Sequence, residues 1–240
     1  MPRFDPAAPP VETASRPPDF SGVDILEFTY RTDQNAVAEI LPAALEVDED
    51  VTATVMFVSY GFSGAGPYLE VVHRVHCRFR DEEVSYVPHI YLTNEPAMLA
   101  GREAFGYPKL LADIDFDPSR RSVDAMVTGR LERPAGVELA TAQFKPFGRI
   151  AAAESTALKQ INLRVIPSAV PGQDPSVAEL VPTLVTVYGG ENWLGQGSLR
   201  LTGASDFSPL HRVPIVENLG ATLLTQATMS LTLATETYPL

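Results

Sequence analysis

The sequence predicts a mainly β fold: a single antiparallel barrel or sandwich-like domain with two short helices. Three observations carry this reading. Runs rich in β-branched and aromatic residues recur along most of the 240 residues. Glycine-, proline- or acid-rich turns separate these runs at short spacing, and helical periodicity surfaces in only two brief segments. No repeat and no linker divides the chain.

Residues 1–20 form a separate unit, a proline-rich arm holding six of the 21 prolines, in stretches such as Ala7-Ala8-Pro9-Pro10 and Arg16-Pro17-Pro18. Proline removes backbone donors and favours extended chain, so the arm either stays disordered or wraps a neighbouring subunit. Residues 21–240 form one domain. It opens with a strand at Val23–Tyr30, then a short helix over Thr32–Leu41, with Thr32 or Asp33 as its cap and Pro42 as its stop. Val51–Tyr60 is the second strand. The turn Gly61-Phe62-Ser63-Gly64-Ala65-Gly66-Pro67 joins it to a long third strand, Tyr68–Arg80. Strand alternation puts Leu69, Val71, His73, Val75, Cys77 and Phe79 on one face of this strand. Glu70, Val72, Arg74, His76 and Arg78 share the other.

After the acidic turn Asp81-Glu82-Glu83, a strand runs over Val84–Leu92 and a helix from Glu95 to about Phe105, capped by Asn94. Further strands are expected at Ala112–Phe116, Ser122–Leu131, Val137–Phe144, Gln160–Ile166, Leu180–Tyr188, Ser198–Leu201 and Ala221–Thr237. The last is long for one strand, with Ser230 as its expected bend.

Composition excludes several function classes. The formal charge of −12 disfavours nucleic acid or an anionic membrane as the partner. A single cysteine, Cys77, leaves no intramolecular disulfide and no cysteine-cluster metal site. No apolar run approaches the ~18 residues of a spanning helix, and the N-terminus matches neither a signal nor a transit peptide. The expectation is a soluble, cytoplasmic protein. His73, His76 and Cys77 do not form a metal site on a strand, because His76 points away from the other two. Gly195-Gln196-Gly197 lacks the third glycine and the helix of a dinucleotide loop.

Of 18 basic residues only Lys109, Lys145 and Lys159 are lysines. The stretch from Asn94 to Lys109 ends a helix at a glycine, after which a rigid Tyr107-Pro108 pair delivers Lys109 to a strand. Phe105, Tyr107, Pro108, Leu110 and Leu111 surround that amine in sequence. Desolvation disfavours an ammonium, so a lysine in such company can serve as a neutral amine and condense with a ketone to an imine. A snorkelling loop lysine fits the same residues.

The chain resembles the acetoacetate decarboxylase family. The matching pieces are Tyr30-Arg31-Thr32-Asp33, Leu41-Pro42 with Leu45-Glu46-Val47-Asp48, Tyr91-Leu92-Thr93-Asn94-Glu95-Pro96-Ala97, and Gly101-Arg102-Glu103 with Tyr107-Pro108-Lys109. A weaker echo continues through Glu191-Asn192-Trp193-Leu194-Gly195 and Ser198-Leu199-Arg200-Leu201. The resemblance implies a mainly β (α+β) antiparallel β-cone or barrel with two or more short helices, a homo-oligomer, and no metal or organic cofactor. It places Lys109 at the family's Schiff-base lysine and Glu70 at its active-site glutamate.

Three departures follow from the same resemblance. Leu110 stands where decarboxylases of the family carry a second lysine, so apolar burial must do most of the activation here. Val23 and Val55 align ungapped with an arginine and a glutamate associated with the acetoacetate carboxylate. Arg74 and His76, on the strand face of Glu70, either replace the missing cation or belong to a solvated outer face.

The expected function is a lysine-imine carbon–carbon lyase acting on a small keto acid. It either decarboxylates a β-keto acid or performs aldol addition and dehydration from a pyruvate-type enamine, with acetoacetate itself disfavoured. Tyr107, Phe105, Leu110, Val23, Val55, Arg74 and His76 are the candidate pocket residues. The alternative is a non-catalytic β-barrel that binds an apolar carbonyl ligand, with Val23, Val55, Phe105 and Leu110 lining its cavity.

Overall fold

The computed structural model describes residues 19–120, 124–151, 154–203, 205, 207–232 and 234–240. Residues 1–18 of the expected 1–20 arm lie outside them, as do Ser122 and Val123 of an expected strand, whereas Asp19 and Phe20 open the first strand. The elements run β1 (Asp19–Arg31), α1 (Gln34–Ala38), β2 (Thr52–Phe62), β3 (Tyr68–Phe79), β4 (Glu82–Leu92) and α2 (Glu95–Phe105). They continue as β5 (Lys109–Leu111), β6 (Asp113–Phe116), β7 (Val127–Glu132), β8 (Glu138–Ala151), β9 (Ser155–Ile166) and β10 (Val177–Tyr188). β11 (Glu191–Leu201), β12 (Glu217–Thr232) and β13 (Tyr238–Pro239) complete the chain.

The predicted β class is borne out. Strands β10, β9, β4, β3, β2, β1 and β12 hydrogen-bond in that order, and a β10–β12 pairing closes them into a barrel. Beyond β12 the sheet continues through β11, β8, β7 and β6, which fold over one side of the barrel as a second layer. Every barrel join is antiparallel except β4–β9, a short parallel contact at Ser85↔Gln160 and Tyr86↔Ile161. That contact leaves the other end of β4 free for β5, which pairs in parallel with Ile90 opposite Lys109. Lys109 is thereby set into the barrel wall.

Local chemistry explains the helix ends. Asp33 accepts from the Ala36 N–H at 2.8 Å and starts α1, which is shorter than the expected Thr32–Leu41. Asn94 accepts from the Ala97 N–H at 2.9 Å and caps α2, while Pro96 sits in its first turn. Gly106 ends α2 in the left-handed region at φ 69, and a Cβ there would lie 2.7 Å from Arg164 Cβ.

Three apolar clusters result: a small one around Leu45, Cys77, Tyr86, Ile161 and Leu180, and two larger ones, one on each face of the barrel wall. The outer one packs Leu26, Phe28, Val55, Phe57, Val71 and Val75 against Val127, Leu131, Leu139 and Phe144 of the second layer. The inner one fills the lumen with Val23, Met56, Val58, Val72, Ile90, Phe105 and Met229. Strands β2 and β3 are therefore buried on both faces, and the expected solvated face of β3 exists only near its end. Glu70, Val72 and Arg74 are buried, whereas His76 is exposed.

Strand β12 breaks its regularity at Gln226 (φ 58) and not at Ser230, because the Gln226 N–H turns to Asp24 Oδ1 at 2.9 Å. The expected strand at Ser198–Leu201 starts earlier, at Glu191, where it gains partners on both β12 and β8.

Candidate active site

Lys109 is the first residue of β5 and points into the lumen. Its Nζ lies 2.7 Å from Glu70 Oε1, and the two side chains are 10% and 5% exposed. Each step that positions the amine is local. Tyr107 N–H closes on the Gly101 carbonyl at 3.2 Å, and Lys109 N–H on the Tyr107 carbonyl at 2.8 Å, so the chain turns tightly around Pro108. Arg102 Nη1 donates to the Lys109 carbonyl at 3.1 Å and ties the start of β5 to α2. The lysine stem crosses α2 at Gly101, where a Cβ would meet Lys109 Cδ at 2.6 Å.

Glu70 uses both oxygens. Tyr60 donates its hydroxyl to Oε2 at 2.9 Å, while Oε1 faces the amine. Tyr60 stands opposite Tyr68 in the β2–β3 pair, with ring centroids 4.5 Å apart. The Lys109 Nζ lies 6.0 Å from the Tyr68 ring centre and 5.7 Å from that of Tyr107. Burial, then the Glu70 charge, holds the Tyr60 and Tyr68 hydroxyls well above the usual tyrosine value. Burial pushes Tyr107 up to about 12. All three stay protonated and neutral near pH 7, so the Lys109 amine and the Glu70 carboxyl group face each other amid neutral phenols and aliphatic side chains. Tyr107 donates to Gln160 Oε1 at 2.7 Å and pairs with Thr183 Oγ1 at 3.0 Å, which locks its ring beside the amine.

The cavity at Lys109 measures about 70 Å3. Its walls are Ile25, Met56, Val58, Val72, Val187 and other apolar side chains drawn from all seven barrel strands, with Glu70, Tyr60, Tyr68, Tyr107 and Gln160 as the polar groups. Lys109 is the sole cation among the described residues that line it.

Several expected pocket residues sit elsewhere. Val55 faces the outer core, because alternation along β2 turns Met56 and Val58 inward. Leu110 likewise turns to the outer core, one residue past Lys109 on β5. Val23 and Phe105 are buried in the lumen wall behind the cavity surface; register shifts on both sides of Val23 leave Phe20 and Ile25 as the β1 lining. Arg74 shares Glu70's face but lies four residues, or ~13 Å, along the strand. It is paired there with Glu27 Oε2 at 2.7 Å and Thr54 Oγ1 at 3.1 Å. His76 is exposed. Tyr107 does line the cavity.

Sequence reasoning missed Tyr60, Tyr68 and Gln160. The two tyrosines flank the glycine-rich hairpin turn, a signal available in the sequence. Gln160 reaches the site from β9 through the barrel closure and has no local signal.

The class follows first from architecture. A solved acetoacetate decarboxylase superposes with a TM-score of 0.83 at 23% identity, covering 99% of this chain and 95% of that one. MppR, an enduracididine biosynthesis enzyme solved with the condensation product of pyruvate and imidazole 4-carboxaldehyde, superposes at 0.75 with 18% identity, over 96% and 92% of the two chains. The fold is that of the acetoacetate decarboxylase-like enzymes. The family model described as Acetoacetate decarboxylase (ADC) matches residues 1–237. Decarboxylase DEC1 of Cochliobolus heterostrophus is 38% identical over 217 residues, 90% of this chain and 86% of that protein. The acetoacetate decarboxylase of Clostridium beijerinckii is 30% identical over 224 residues, 88% and 85% of the two chains. The chain belongs to the acetoacetate decarboxylase family, and its relatives support a lyase.

Proposed function

We propose that this protein decarboxylates β-keto acids through an imine on Lys109. The observation that carries the choice is the cation inventory of the cavity: Lys109 has no second positive group beside it among the described lining residues. A pyruvate-type aldol reaction must hold its carboxylate through the whole cycle, and no second cation stands among the described lining residues to hold it. A β-keto carboxylate needs no lasting partner, since it leaves as neutral carbon dioxide, and an apolar wall favours that loss of charge.

In the proposed sequence the neutral amine of Lys109 attacks the ketone carbon. Glu70, 2.7 Å away, takes the proton released from Nζ and returns one to the carbinolamine oxygen, which departs as water. The resulting iminium accepts the electron pair of the breaking carbon–carbon bond, carbon dioxide leaves, and an enamine remains. Glu70, recharged with a proton from solvent water after the dehydration, passes it to the enamine carbon and restores the iminium, and water then releases the methyl ketone and the amine. Tyr60 holds the Glu70 carboxylate in reach of the amine throughout.

The chain also assembles with copies of itself in this reading. Phe147 (63% exposed), Phe207 (87%) and Val216 (61%) present apolar surface that a self-interface would cover.

Borohydride trapping tests the imine. Incubation with a β-keto acid and reductant should add one substrate-derived group to the peptide carrying Lys109, and carbon dioxide should evolve without reductant. An adduct formed only with pyruvate would replace decarboxylation by aldol chemistry. No adduct with any keto acid would remove the imine altogether.

A further inference from the structure

The lumen continues past Lys109. A second chamber of about 220 Å3 adjoins the first, and Ile25, Met56, Leu158 and Val187 line both. Beyond these four the wall turns polar, with Glu27, Thr156, Asn192 and Thr222. Thr156, Gly189 and Thr222 are exposed, so the outer chamber opens to solvent. Residues Gln160, Leu158 and Thr156 mark the route on one face of β9, from the level of Tyr107 outward, over ~13 Å at four residues' rise.

The inner chamber is too small to hold much beyond the reacting end of a keto acid. We propose that the passage receives the substrate's tail, and that the substrates are β-keto acids with a straight aliphatic tail several carbons longer than the methyl of acetoacetate. The proposal rests on the decarboxylation reading above. The Ile25–Met56–Leu158–Val187 collar is apolar on every side, so each methylene that enters it should improve binding, roughly fourfold per fully buried group. The open mouth sets no upper limit, since a longer tail runs on into solvent.

The mouth also selects against a second acid. The Glu27 carboxylate lines it, and its one described cation, Arg74 at 2.7 Å, is itself buried behind the wall. A short dicarboxylic β-keto acid would leave its distal carboxylate in the apolar collar, and a longer one would bring it against Glu27.

The test is a series of kcat/KM values for the full-length protein with acetoacetate, β-ketohexanoate, β-ketooctanoate, β-ketodecanoate and β-ketoadipate. Values should rise about tenfold or more from acetoacetate to β-ketooctanoate, level off at β-ketodecanoate, and be lowest for β-ketoadipate. Thr222→Trp, which fills the outer chamber, should lower the ratio of β-ketooctanoate to acetoacetate kcat/KM about tenfold. Should that variant fail to fold, inhibition of the wild type by methyl ketones must strengthen with their chain length. Acetoacetate as the best substrate, or methyl ketones that inhibit equally at all lengths, would overturn the tail assignment and leave decarboxylation standing. Absence of turnover and of trapped imine with every member would overturn both.

Discussion

Gly101 of α2 carries the stem of Lys109 across its own backbone: a Cβ at position 101 would lie 2.6 Å from Lys109 Cδ and 2.7 Å from Cε. The glycine is helical, and its cost to the helix, about 1 kcal/mol relative to alanine, is offset by the path it opens for the amine. Gly101→Ala should therefore raise intrinsic helix propensity and yet displace Nζ from Glu70. The expected result is a drop in kcat of about a hundredfold, since small misplacements of a reacting group are costly, with a thermal midpoint within a few degrees of wild type. Full activity in a folded Gly101→Ala protein would show that the amine does not depend on this path.

Glu70 and Tyr60 divide a task that kinetics can separate. Glu70→Gln keeps the shape and removes the proton acceptor, so kcat should fall roughly a hundredfold or more. Tyr60→Phe removes only the hydroxyl that holds Glu70 Oε2 at 2.9 Å, and the fall should be smaller, about tenfold. Equal losses in the two variants would mean that Glu70 acts by position alone.

Leu110→Lys installs the second lysine that the family resemblance implies at this position, but in this barrel the new side chain points to the outer core. It should destabilise the fold by about 1–3 kcal/mol and leave the pH dependence of kcat as in the wild type. A shift of that profile, measured in the folded variant, would show that the new cation reaches Lys109 through the wall.

A packed histidine pair, His73 buried and His89 half-buried, makes the protein sensitive to acid. His73 Nδ1 lies 3.0 Å from His89 Nδ1, and Tyr30 holds His73 Nε2 at 2.8 Å. Burial, with His89 beside it, holds His73 well below the ordinary imidazole value. Burial, with His211 and Arg212 nearby, lowers His89 to about 4. In the unfolded chain both histidines protonate near ~6.5, so the unfolded state takes up protons that the folded state refuses. The contribution is fully present above that pH and is lost as pH falls toward about 4, roughly 3 kcal/mol for His89 alone. The thermal midpoint should fall steeply between about pH 6.5 and about pH 4.5, and less steeply in His89→Gln. Parallel acid limbs in the two proteins would exclude His89 as the source.

The order of strands and helices was legible in the sequence because it rests on local physics. Glu95–Phe105 with its Asn94 cap was placed from capping chemistry alone, and the strand expected over Tyr68–Arg80, observed to Phe79, from alternation and its flanking turns. Lys109 stood out as the one lysine delivered by a helix-end glycine and a Tyr-Pro pair, but a snorkelling lysine fits the same residues, and only the family resemblance singled it out. Which face of each strand meets the cavity was decided only by tertiary structure. The wall of this barrel is apolar on both sides, so β2 offers no polar contrast by which Val55 and Met56 could be told apart; barrel closure turns Met56 inward and Val55 to the second layer. The same closure brings Tyr60 and Gln160, a hundred positions apart, to one lysine, and strands that distant in sequence share no local signal. The chain's own chemistry thus determined the approach to Lys109, and the family resemblance singled out its amine, while the closing of the sheet decided what surrounds it.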